Sequence, residues 1–401
     1  MKVCVVTTSF IRSADDHYAR FVYEQSKSIL AAGDDVTVTV IAPHAHGLLV
    51  REQIDGLTIR RCRYFRPTKW QRLAYQHEGW FQTLRRSWLA RIQLPLMLAA
   101  MLRALWQAAG EADILHAQWT PTAALALIVK WGRGIPVVVS VRGADLNAAT
   151  GSGMGRILTR CMIDRADYVV TVSDEFKDIL ARDLGCKAPL AAVYNGVDSA
   201  QFRPRSRLAC RAELGLPEAA PMVLYVGGLI RRKGVDILLR AAADQVAQAA
   251  DLTLYLVGEG PESRALGRLA SELGVARNVR FIGAVPKSRM HLWMGAADML
   301  VLASHSEGRP NVLLEALASS TPIIATAVGG TRELIADGTD GLLFQPGDVA
   351  GLSRNMTRLR HDPDLASRLS ANGPAKIERL GLTWRAHGRQ LLGIYRQILG
   401  S

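Results

Sequence analysis

Short runs of valine, isoleucine and leucine alternate with amphipathic segments along the whole of the 401-residue chain. The runs in the first half are Val3–Thr7, Val36–Ile41, Ile114–His116, Val137–Val141 and Tyr168–Val172, and those in the second half are Met222–Val226, Leu252–Val257, Val279–Ile282, Met299–Ala303 and Ile323–Ala325. Strands that are apolar on both faces and separated by helices are typical of parallel sheets covered on both sides. Two such series predict an α/β protein with two Rossmann-like, doubly wound lobes.

A turn-rich segment near the middle of the chain marks the boundary between the lobes. Residues 193–198 read Val-Tyr-Asn-Gly-Val-Asp, and a helix is predicted soon afterwards over Ser206–Leu214. We expect an N-terminal lobe over residues 1–195 and a C-terminal lobe over residues 196–383. The last segment, residues 384–401, is amphipathic and is predicted to pack back onto the N-terminal lobe as a helix. Ligands of doubly wound sheets bind at the carboxyl ends of the strands, so two facing lobes would hold them in a cleft.

Charge and cysteine content narrow the functional classes. The 49 lysines and arginines exceed the 36 acidic residues, and the formal charge is +13. Such an excess suits nucleic acid, an anionic membrane or phosphorylated small molecules, and does not choose among them. The five cysteines are scattered and form no C-x-x-C pair, which argues against a disulfide framework or a zinc site and fits a reducing cytosol.

Neither a leader nor a membrane span is expected from the sequence. Residues Met1 to Phe10 read as a short strand rather than a signal peptide. The apolar stretch Leu94 to Leu102 has about half the length that a bilayer requires. These observations predict a cytoplasmic protein that is soluble or peripheral on the inner face of the membrane.

The sharpest motif spans residues 306–316, Ser-Glu-Gly-Arg-Pro-Asn-Val-Leu-Leu-Glu-Ala. It follows a predicted strand and opens a helix, with Pro310 expected in the first turn. Glu307 is expected in the loop, where backbone amides after Gly308 would cradle an anionic or polyhydroxyl ligand at the helix N-terminus. Glu315 would lie roughly two turns into the helix, within reach of paired hydroxyls such as those of a ribose. Taken alone, the same residues are also compatible with a capping-loop glutamate and an ordinary helix carboxylate.

This motif resembles the E-x7-E signature of family 4 of the retaining glycosyltransferases, whose two-lobe fold is called GT-B. Further segments fall in the family's order over most of the chain. They are Asn195–Asp198 with Phe202 and Pro204, Val226–Asp236, Val257–Pro261, Phe281–Gly283, Val328–Gly330 with Glu333, and Asp340–Leu343 with Pro346–Asp348. Each segment alone is weak evidence for the family, but the occurrence of all of them in the family's order makes the resemblance specific.

The resemblance implies roles for three side chains. Glu307 would contact the donor sugar, Glu315 would hold the nucleotide ribose, and Lys233 would pair with the donor diphosphate. A cation at the diphosphate stabilises the transition state because the leaving group gains negative charge as the glycosidic bond breaks. The alternative for Lys233 is a solvated lysine at a helix start. The other donor-binding candidates are Gly228, Arg232, Gly283, Gly308, Arg309, Pro310, Asn311 and Val312.

Two positions depart from the family's pattern. Gly228 stands where the family often has an arginine, and Arg231 or Arg232 is a candidate replacement. Arg142 stands where the family has a histidine that contacts the donor sugar. Arg142 is therefore a catalytic candidate that contacts the sugar or binds an acidic sugar or phosphate, but a permanent cation cannot serve as a general base. The alternative is an ion pair with Asp145.

Neither a metal nor a cofactor is expected, and the nucleotide-diphosphate sugar is a co-substrate. Asp362-Pro363-Asp364 spells the D-x-D motif of manganese-dependent enzymes, but Asp-Pro before a helical segment is a common helix start. The nine histidines show no ligand spacing shared with carboxylates. The resemblance implies that the acceptor hydroxyl attacks from the face that the diphosphate leaves, with a phosphate oxygen as base and with retention of configuration.

Acceptor contacts are expected in the N-terminal lobe. Asp16 is a credible N-cap for a helix predicted over His17–Ala32. Arg12, His17, Arg20 and His116 are candidate contacts for the acceptor, the first three for an anionic one.

Residues 58–107 combine ten basic residues with one acid, Glu78, and contain eight aromatic residues. Arginines mixed with tryptophans suit the anionic inner surface of a membrane, where this region would reach a lipid-linked saccharide. The alternative is a half-buried helical hairpin with solvated arginines. Nucleic acid is not an expected partner, because no recognised binding module is present.

The sequence therefore predicts transfer of a hexose from a nucleotide-diphosphate sugar to a hydroxyl of a saccharide or lipid-linked acceptor. The family's commonest setting favours bacterial cell-surface polysaccharide synthesis. A nucleotide-sugar epimerase or hydrolase of the same fold and a non-catalytic saccharide-binding protein are the alternatives.

Overall fold

A computed structural model of the protein describes residues 1–16, 18–75, 83–85, 87–142, 153–248 and 250–400. It divides the chain into two compact units. The N-terminal unit comprises Met1–Asn195 together with Trp384–Ser401, and the C-terminal unit comprises Gly196–Thr383. Each unit has its own sheet and its own core.

The strands of the N-terminal unit are β1 (Lys2–Val6), β2 (Thr37–Pro43), β3 (Arg51–Ile54), β4 (Leu57–Cys62), β5 (Ile114–Gln118), β6 (Val137–Val141), β7 (Tyr168–Thr171) and β8 (Leu190–Ala192). Those of the C-terminal unit are β9 (Met222–Val226), β10 (Thr253–Val257), β11 (Val279–Gly283), β12 (Met299–Leu302), β13 (Ile323–Thr326) and β14 (Leu342–Phe344).

The helices are α1 (Arg20–Leu30), α2 (Trp88–Ala108), α3 (Thr120–Arg133), α4 (Met154–Ile163), α5 (Asp174–Arg182), α6 (Arg207–Leu214), α7 (Val235–Gln248), α8 (Ser263–Glu272), α9 (Lys287–Ala296), α10 (Asn311–Ala318), α11 (Gly330–Leu334), α12 (Val349–His361), α13 (Pro363–Arg379) and α14 (Trp384–Leu399). Short 3-10 turns cover Thr68–Trp70, Arg231–Lys233 and Ala276–Asn278.

The N-terminal sheet has the order β3-β4-β2-β1-β5-β6-β7-β8. Its pairs are parallel except at one edge, where β3 lies antiparallel to β4. The sequence patterns did not predict β3 or β4. Residues of β3 alternate between half-buried and exposed, and β4 carries two arginines, so neither strand shows the continuous apolar run of a central parallel strand.

Two apolar layers cover the N-terminal sheet. One layer packs α2 and α3 against the sheet, and the other packs α1 and α14 against its opposite face. Leu391, Leu392 and Tyr395 of α14 lie in this second layer although they come from the end of the chain. The last helix is therefore part of the N-terminal unit's core.

The C-terminal sheet has the order β11-β10-β9-β12-β13-β14 and all of its pairs are parallel. The strand order reverses between β9 and β12, which defines the switch point where doubly wound sheets bind ligands. The loops that follow Val226 and Leu302 begin at this point. These loops carry the donor-binding candidates.

Several helix starts differ from the sequence predictions. The predicted start of α1 at His17 is wrong for the described residues, because Asp16 bonds to Arg12 and to the amide of Tyr18, and the helix begins at Arg20. The predicted position of Pro310 inside the first turn is also wrong, because Pro310 is the residue that precedes α10. Glu315 consequently lies about one turn into α10 rather than two.

Two helix starts are confirmed. The side chain of Ser206 accepts a hydrogen bond from the amide of Ala209 and caps α6. The side chain of Asp362 accepts a hydrogen bond of 2.8 Å from the amide of Leu365 and caps α13, so the Asp-Pro-Asp segment is a helix cap.

The basic, tryptophan-rich region is not a helical hairpin in its described residues. It contains β4, the turn at Thr68–Trp70, and α2, while Glu78 and Trp80 lie outside the described residues. By length and composition alone, α2 could cross a membrane, and little of it is buried inside the unit.

Candidate active site

The turn that follows β9 lies directly against the end of β12. Gly234 closes the 3-10 turn with φ +60°, and a Cβ atom at this position would lie 2.0 Å from the carbonyl oxygen of Ala303. Only glycine permits this close approach in a left-handed backbone conformation. The glycine therefore allows the turn carrying Lys233 to reach the loop that carries Glu307.

Two hydrogen bonds of Arg232 join the turn to the loop after β12. The amide of His305 donates to the carbonyl oxygen of Arg232 at 2.9 Å. The guanidinium of Arg232 donates to the carbonyl oxygen of Ser306 at 2.6 Å. Arg232 therefore holds the turn and the loop together through its carbonyl oxygen and its guanidinium, and it also places a cation at the site.

Glu307 is a buried carboxylate held by groups from two loops. Its Oε1 lies 2.5 Å from Lys233 Nζ and accepts a hydrogen bond of 2.6 Å from Ser304 Oγ. Its Oε2 lies 3.7 Å from the guanidinium of Arg232. Lys233 is half-buried and ion-paired rather than a solvated lysine at a helix start. Buried ion pairs cost desolvation energy and add little to stability, so this one is a candidate functional group.

Tyr225 of β9 lies near enough to Glu307 for the two side chains to interact electrostatically. Its hydroxyl donates a hydrogen bond of 2.9 Å to the carbonyl oxygen of Gly228. Burial, and then the charge of Glu307, raise the pKa of Tyr225 well above its ordinary value. The tyrosine therefore stays a neutral hydrogen-bond donor that orders the glycine loop where the resemblance places the donor phosphates.

Glu315 of α10 forms an ion pair with Lys287, the first residue of α9. The ammonium of Lys287 also lies 4.4 Å from the ring centroid of Phe202. The sequence analysis did not identify Lys287. A cation at a helix N-terminus opposes the helix dipole and therefore calls for an anionic partner, which is a signal that could have identified it.

The first residues of α10 lie close to the loop after β13. The amide of Gly330 donates to the carbonyl oxygen of Gly308 at 2.8 Å. Arg309 is buried, and its guanidinium lies 3.6 Å from a carboxylate oxygen of Glu333. Pro310, Asn311 and Val312 then lead into α10, whose N-terminus can bind an anion through its amides. Gly283 ends β11, and β10 separates this strand from β9, which precedes the turn that carries Lys233.

Arg142 lies immediately after β6 in the N-terminal unit and is buried. Its Nε and Nη2 donate to the side-chain oxygen of Gln118 at 3.2 and 3.1 Å. Its Nη2 also donates to Gln25 at 2.7 Å, and its guanidinium stacks 4.4 Å from the ring centroid of Phe21. Asp145, the alternative ion-pair partner, lies outside the described residues.

The acceptor candidates have different surroundings. Arg12 pairs with Asp16 at 2.7 Å, and Arg20 pairs with Glu24 at 2.7 Å. His17 lies outside the described residues. His116 is fully buried and lies 2.7 Å from Ser140 Oγ and 2.5 Å from the Tyr395 hydroxyl, so it is a core residue and its expected contact with the acceptor is not supported.

The described residues place neither a metal cluster nor the cavity lined by Pro221 and Asp298 at these loops. Among the described residues, no group of three or more histidine, cysteine or acidic side chains is arranged to hold a metal ion. A cavity of about 610 Å³ is lined by Pro221, Asp298 and Pro322, which precede β9, β12 and β13. This cavity therefore opens at the amino ends of the strands. The donor-binding candidates lie at the carboxyl ends.

Comparisons with known proteins identify the family. The family profile described as "Glycosyl transferases group 1" matches residues 206–376, and that described as "Glycosyltransferase Family 4" matches residues 19–201. A D-inositol 3-phosphate glycosyltransferase of Nocardioides sp. is 30% identical, over 94% of this chain and 84% of that protein. The enzyme of the same name from Frankia alni is 31% identical, over 94% of each chain.

Solved structures show the same fold at lower sequence identity. Sucrose-phosphate synthase from Thermosynechococcus elongatus superposes with a TM-score of 0.84 and 22% identity, over 100% of this chain and 99% of that chain. Anabaena HepE in complex with UDP and glucose superposes with a TM-score of 0.77 and 20% identity, over 99% and 100%. These likenesses and the two parallel-sheet units confirm the predicted GT-B fold. The chain belongs to the group 1 glycosyltransferases of family 4.

Proposed function

We propose that this glycosyltransferase moves a hexose from a nucleotide-diphosphate sugar to a hydroxyl of a saccharide or lipid-linked acceptor, with retention of configuration. The observation that carries the proposal is the buried pair of Lys233 and Glu307 at the switch point of the C-terminal sheet. HepE, solved with UDP and glucose, offers a precedent for this class of donor on the same fold.

In the proposed reaction, Lys233 turns its ammonium to the diphosphate as the glycosidic bond breaks. An ammonium has three donors, and one of them reaches Glu307, so the others remain for phosphate oxygens. Glu307 accepts hydrogen bonds from the sugar hydroxyls, and Glu315 accepts them from the ribose. A phosphate oxygen of the leaving group takes the proton of the acceptor hydroxyl. This chemistry requires neither a metal ion nor a side-chain nucleophile, and Arg142 is proposed to contact the sugar or an acidic group.

A panel of nucleotide sugars tests the donor assignment. A cognate donor raises the thermal midpoint of the protein and is consumed in a transfer assay, and NMR of the product shows the anomeric configuration of the donor. Release of a free epimer or free sugar from the donor alone would instead support the epimerase or hydrolase. If the protein bound a donor but did not turn it over with any acceptor, the result would support the alternative of a non-catalytic saccharide-binding protein.

We also propose that the region of residues 58–107 docks on the anionic cytoplasmic face of a membrane. The support is an exposed apolar stripe on α2, where Trp88, Ile92 and Leu96 are 71%, 50% and 44% exposed. These side chains recur every four residues, as in interfacial helices that lie in the membrane plane. Peripheral docking predicts release from vesicles by high salt or carbonate, whereas a spanning α2 predicts retention. Absence of binding to anionic vesicles would contradict the proposal. Such a position suits cell-surface polysaccharide synthesis from lipid-linked acceptors.

A further inference from the structure

A second concave site lies in the N-terminal unit, between the β3–β4 edge of the sheet and α2. It has a volume of about 220 Å³. Half of its ten lining residues are arginines, and none is acidic: Arg51, Arg60, Arg61, Arg63 and Arg103. We call it the arginine pocket. Its composition differs from that of an ordinary solvated surface, where charges of both signs are mixed.

The register of the edge strands brings two of these arginines together. Arg51 of β3 lies directly opposite Arg60 of β4 in the antiparallel ladder. Like charges directly opposite each other destabilise a strand pair. Cys62, two residues after Arg60 and therefore on the same face of β4, packs in the core with α2. Arg103 of α2 lines the pocket from the other side. Side chains from three elements therefore converge there.

Arg61 differs from the other four arginines because its side chain has partners within the protein. Its side chain is buried, forms an ion pair with Glu52 and donates a hydrogen bond of 2.9 Å to the carbonyl oxygen of Ile11. In the part of the chain that the structure describes, no ion pair and no hydrogen bond holds the side chains of the other four. No acidic side chain of the described residues therefore neutralises these four charges through an ion pair.

Protection of a sheet edge explains only part of this arrangement. A charged residue on an edge strand discourages pairing with other chains, and this accounts for Arg51. It does not account for Arg60, because β4 is paired on both sides by β3 and β2. It does not account for Arg103 either, because that residue lies on a helix.

We propose that the arginine pocket binds a phosphate group, in a site separate from the donor site. Guanidinium groups match phosphate oxygens with paired, charge-assisted hydrogen bonds. A bound phosphate would offset the repulsion between Arg51 and Arg60, and the volume suits a phosphomonoester or diphosphate rather than a whole nucleotide. A lipid headgroup and a soluble phosphate compound share this chemistry. The inference does not depend on the transfer reaction, because none of the pocket residues belongs to the donor site.

The test compares two double variants that lose the same positive charge. Arg60→Gln/Arg103→Gln removes two pocket arginines, and Arg182→Gln/Arg354→Gln removes two arginines that are 78% and 71% exposed elsewhere. The soluble arm is calorimetric titration of inorganic pyrophosphate, carried out with Lys233→Ala in every protein so that the donor site does not take up the probe. The lipid arm is co-sedimentation with phosphatidylcholine vesicles, with and without phosphatidylglycerol.

The expected result is a loss of roughly tenfold or more in affinity for the pocket variant, with little change in the control variant, because each charge-assisted bond contributes about a factor of ten. Loss in the soluble arm alone identifies a soluble phosphate ligand, and loss in both arms extends the pocket's ligands to lipid phosphates. Loss in the vesicle arm alone would contradict the pocket, because docking of residues 58–107 on an anionic surface predicts that result without a phosphate site. Equal binding by both variants in both arms would overturn the proposal. Folding is checked independently, since relief of repulsion predicts that in low salt without phosphate the pocket variant melts no lower than the parent protein.

Discussion

Lys233 Nζ lies 2.5 Å from Oε1 of Glu307, although the two residues are 74 positions apart in the chain. They meet because β9 and β12 are neighbours at the point where the strand order reverses, and because Gly234 lets the intervening backbone approach Ala303. A flexible cation and a buried carboxylate are thus fixed relative to each other before any donor binds. Such preorganisation is what electrostatic catalysis requires.

Replacing Glu307 by alanine should nearly abolish transfer and leave the fold intact. The change removes the proposed sugar contact and leaves Lys233 with neighbouring water, since its side chain is 16% exposed. We expect a fall in kcat of about a hundredfold or more, measured with saturating donor. The matched control is Glu272→Gln, an exposed carboxylate on α8. Transfer at the parental rate by Glu307→Ala would contradict the assigned role.

Replacing Lys233 by methionine should lower both the stability of the protein and its transfer activity. Glu307 is then left as a buried charge with one cation fewer, which costs about 3–5 kcal/mol of unfolding free energy in comparable pairs. The double variant Lys233→Met/Glu307→Gln should recover most of this stability without recovering transfer. Urea denaturation and initial rates on the same preparations separate the two effects. Full activity in the double variant would show that the pair is only structural.

Replacing Glu315 by glutamine should chiefly weaken donor binding. The proposed bond to the ribose becomes a neutral one, and we expect Kd for the nucleotide to rise by about tenfold with kcat changed less. Lys287→Ala should also affect nucleotide affinity, because it frees the carboxylate of Glu315 from its ion pair. Calorimetry with the nucleoside diphosphate checks both. Unchanged affinity in both variants would remove Glu315 from the donor site.

Replacing Gly234 by alanine should lower both stability and donor affinity. The new Cβ would lie only 2.0 Å from the carbonyl oxygen of Ala303 and would clash with it. The left-handed backbone conformation of this position would cost a residue other than glycine about 1 kcal/mol or more in addition. Gly267→Ala is the control, because its Cβ would meet nothing within 4 Å and alanine favours a helix by up to about 1 kcal/mol. Thermal midpoints should therefore move in opposite directions. A midpoint for Gly234→Ala equal to that of the parent would refute the close-approach argument.

Stability should fall as the pH drops below about 6.5. Burial, then the charge of Arg142, lower the pKa of His116 to about 3, and burial lowers the pKa of His387 to about 4. Both stay neutral in the fold, whereas the unfolded chain protonates them near pH 6.5. The unfolded state then binds more protons, so each histidine costs up to about 1.4 kcal/mol per pH unit until the pH reaches its folded pKa.

Urea denaturation between about pH 7 and about pH 5 measures this slope, in a window above the ordinary carboxylate pKa values. His116→Gln should flatten the slope by close to one proton, while the exposed His361→Gln should leave it unchanged. If both variants showed the same slope, the proton uptake would have to come from groups other than His116.

The architecture was largely predictable because central parallel strands leave a continuous apolar signal. Val137–Val141 and Met222–Val226 were predicted with the bounds that the structure gives. Strands β3 and β4 escaped prediction because β3 is an edge strand without a continuous apolar run and β4 carries two arginines that interrupt its run. Local geometry also limited the prediction of α1, where an Arg12–Asp16 pair competes with the cap that Asp16 was expected to form.

The sequence indicated those residues of the candidate site that lie in motifs arranged in the family's order. Glu307, Lys233 and Glu315 were named from the resemblance to family 4, but the contact between Glu307 and Lys233 depends on strand order, which no local pattern encodes. Lys287 was missed because one lysine at a helix start carries no motif. The convergence of Arg51, Arg60 and Arg103 likewise depends on an unpredicted strand register.

The central claim is that Lys233 and Glu315 bind the nucleoside diphosphate of the donor. A crystal structure of the protein with a nucleoside diphosphate bound tests it most directly. The account predicts a diphosphate oxygen within hydrogen-bonding distance of Lys233 Nζ and the ribose hydroxyls on Glu315, with Lys287 displaced from that carboxylate. A nucleotide seated at the amino ends of the strands, in the cavity lined by Pro221 and Asp298, would contradict it.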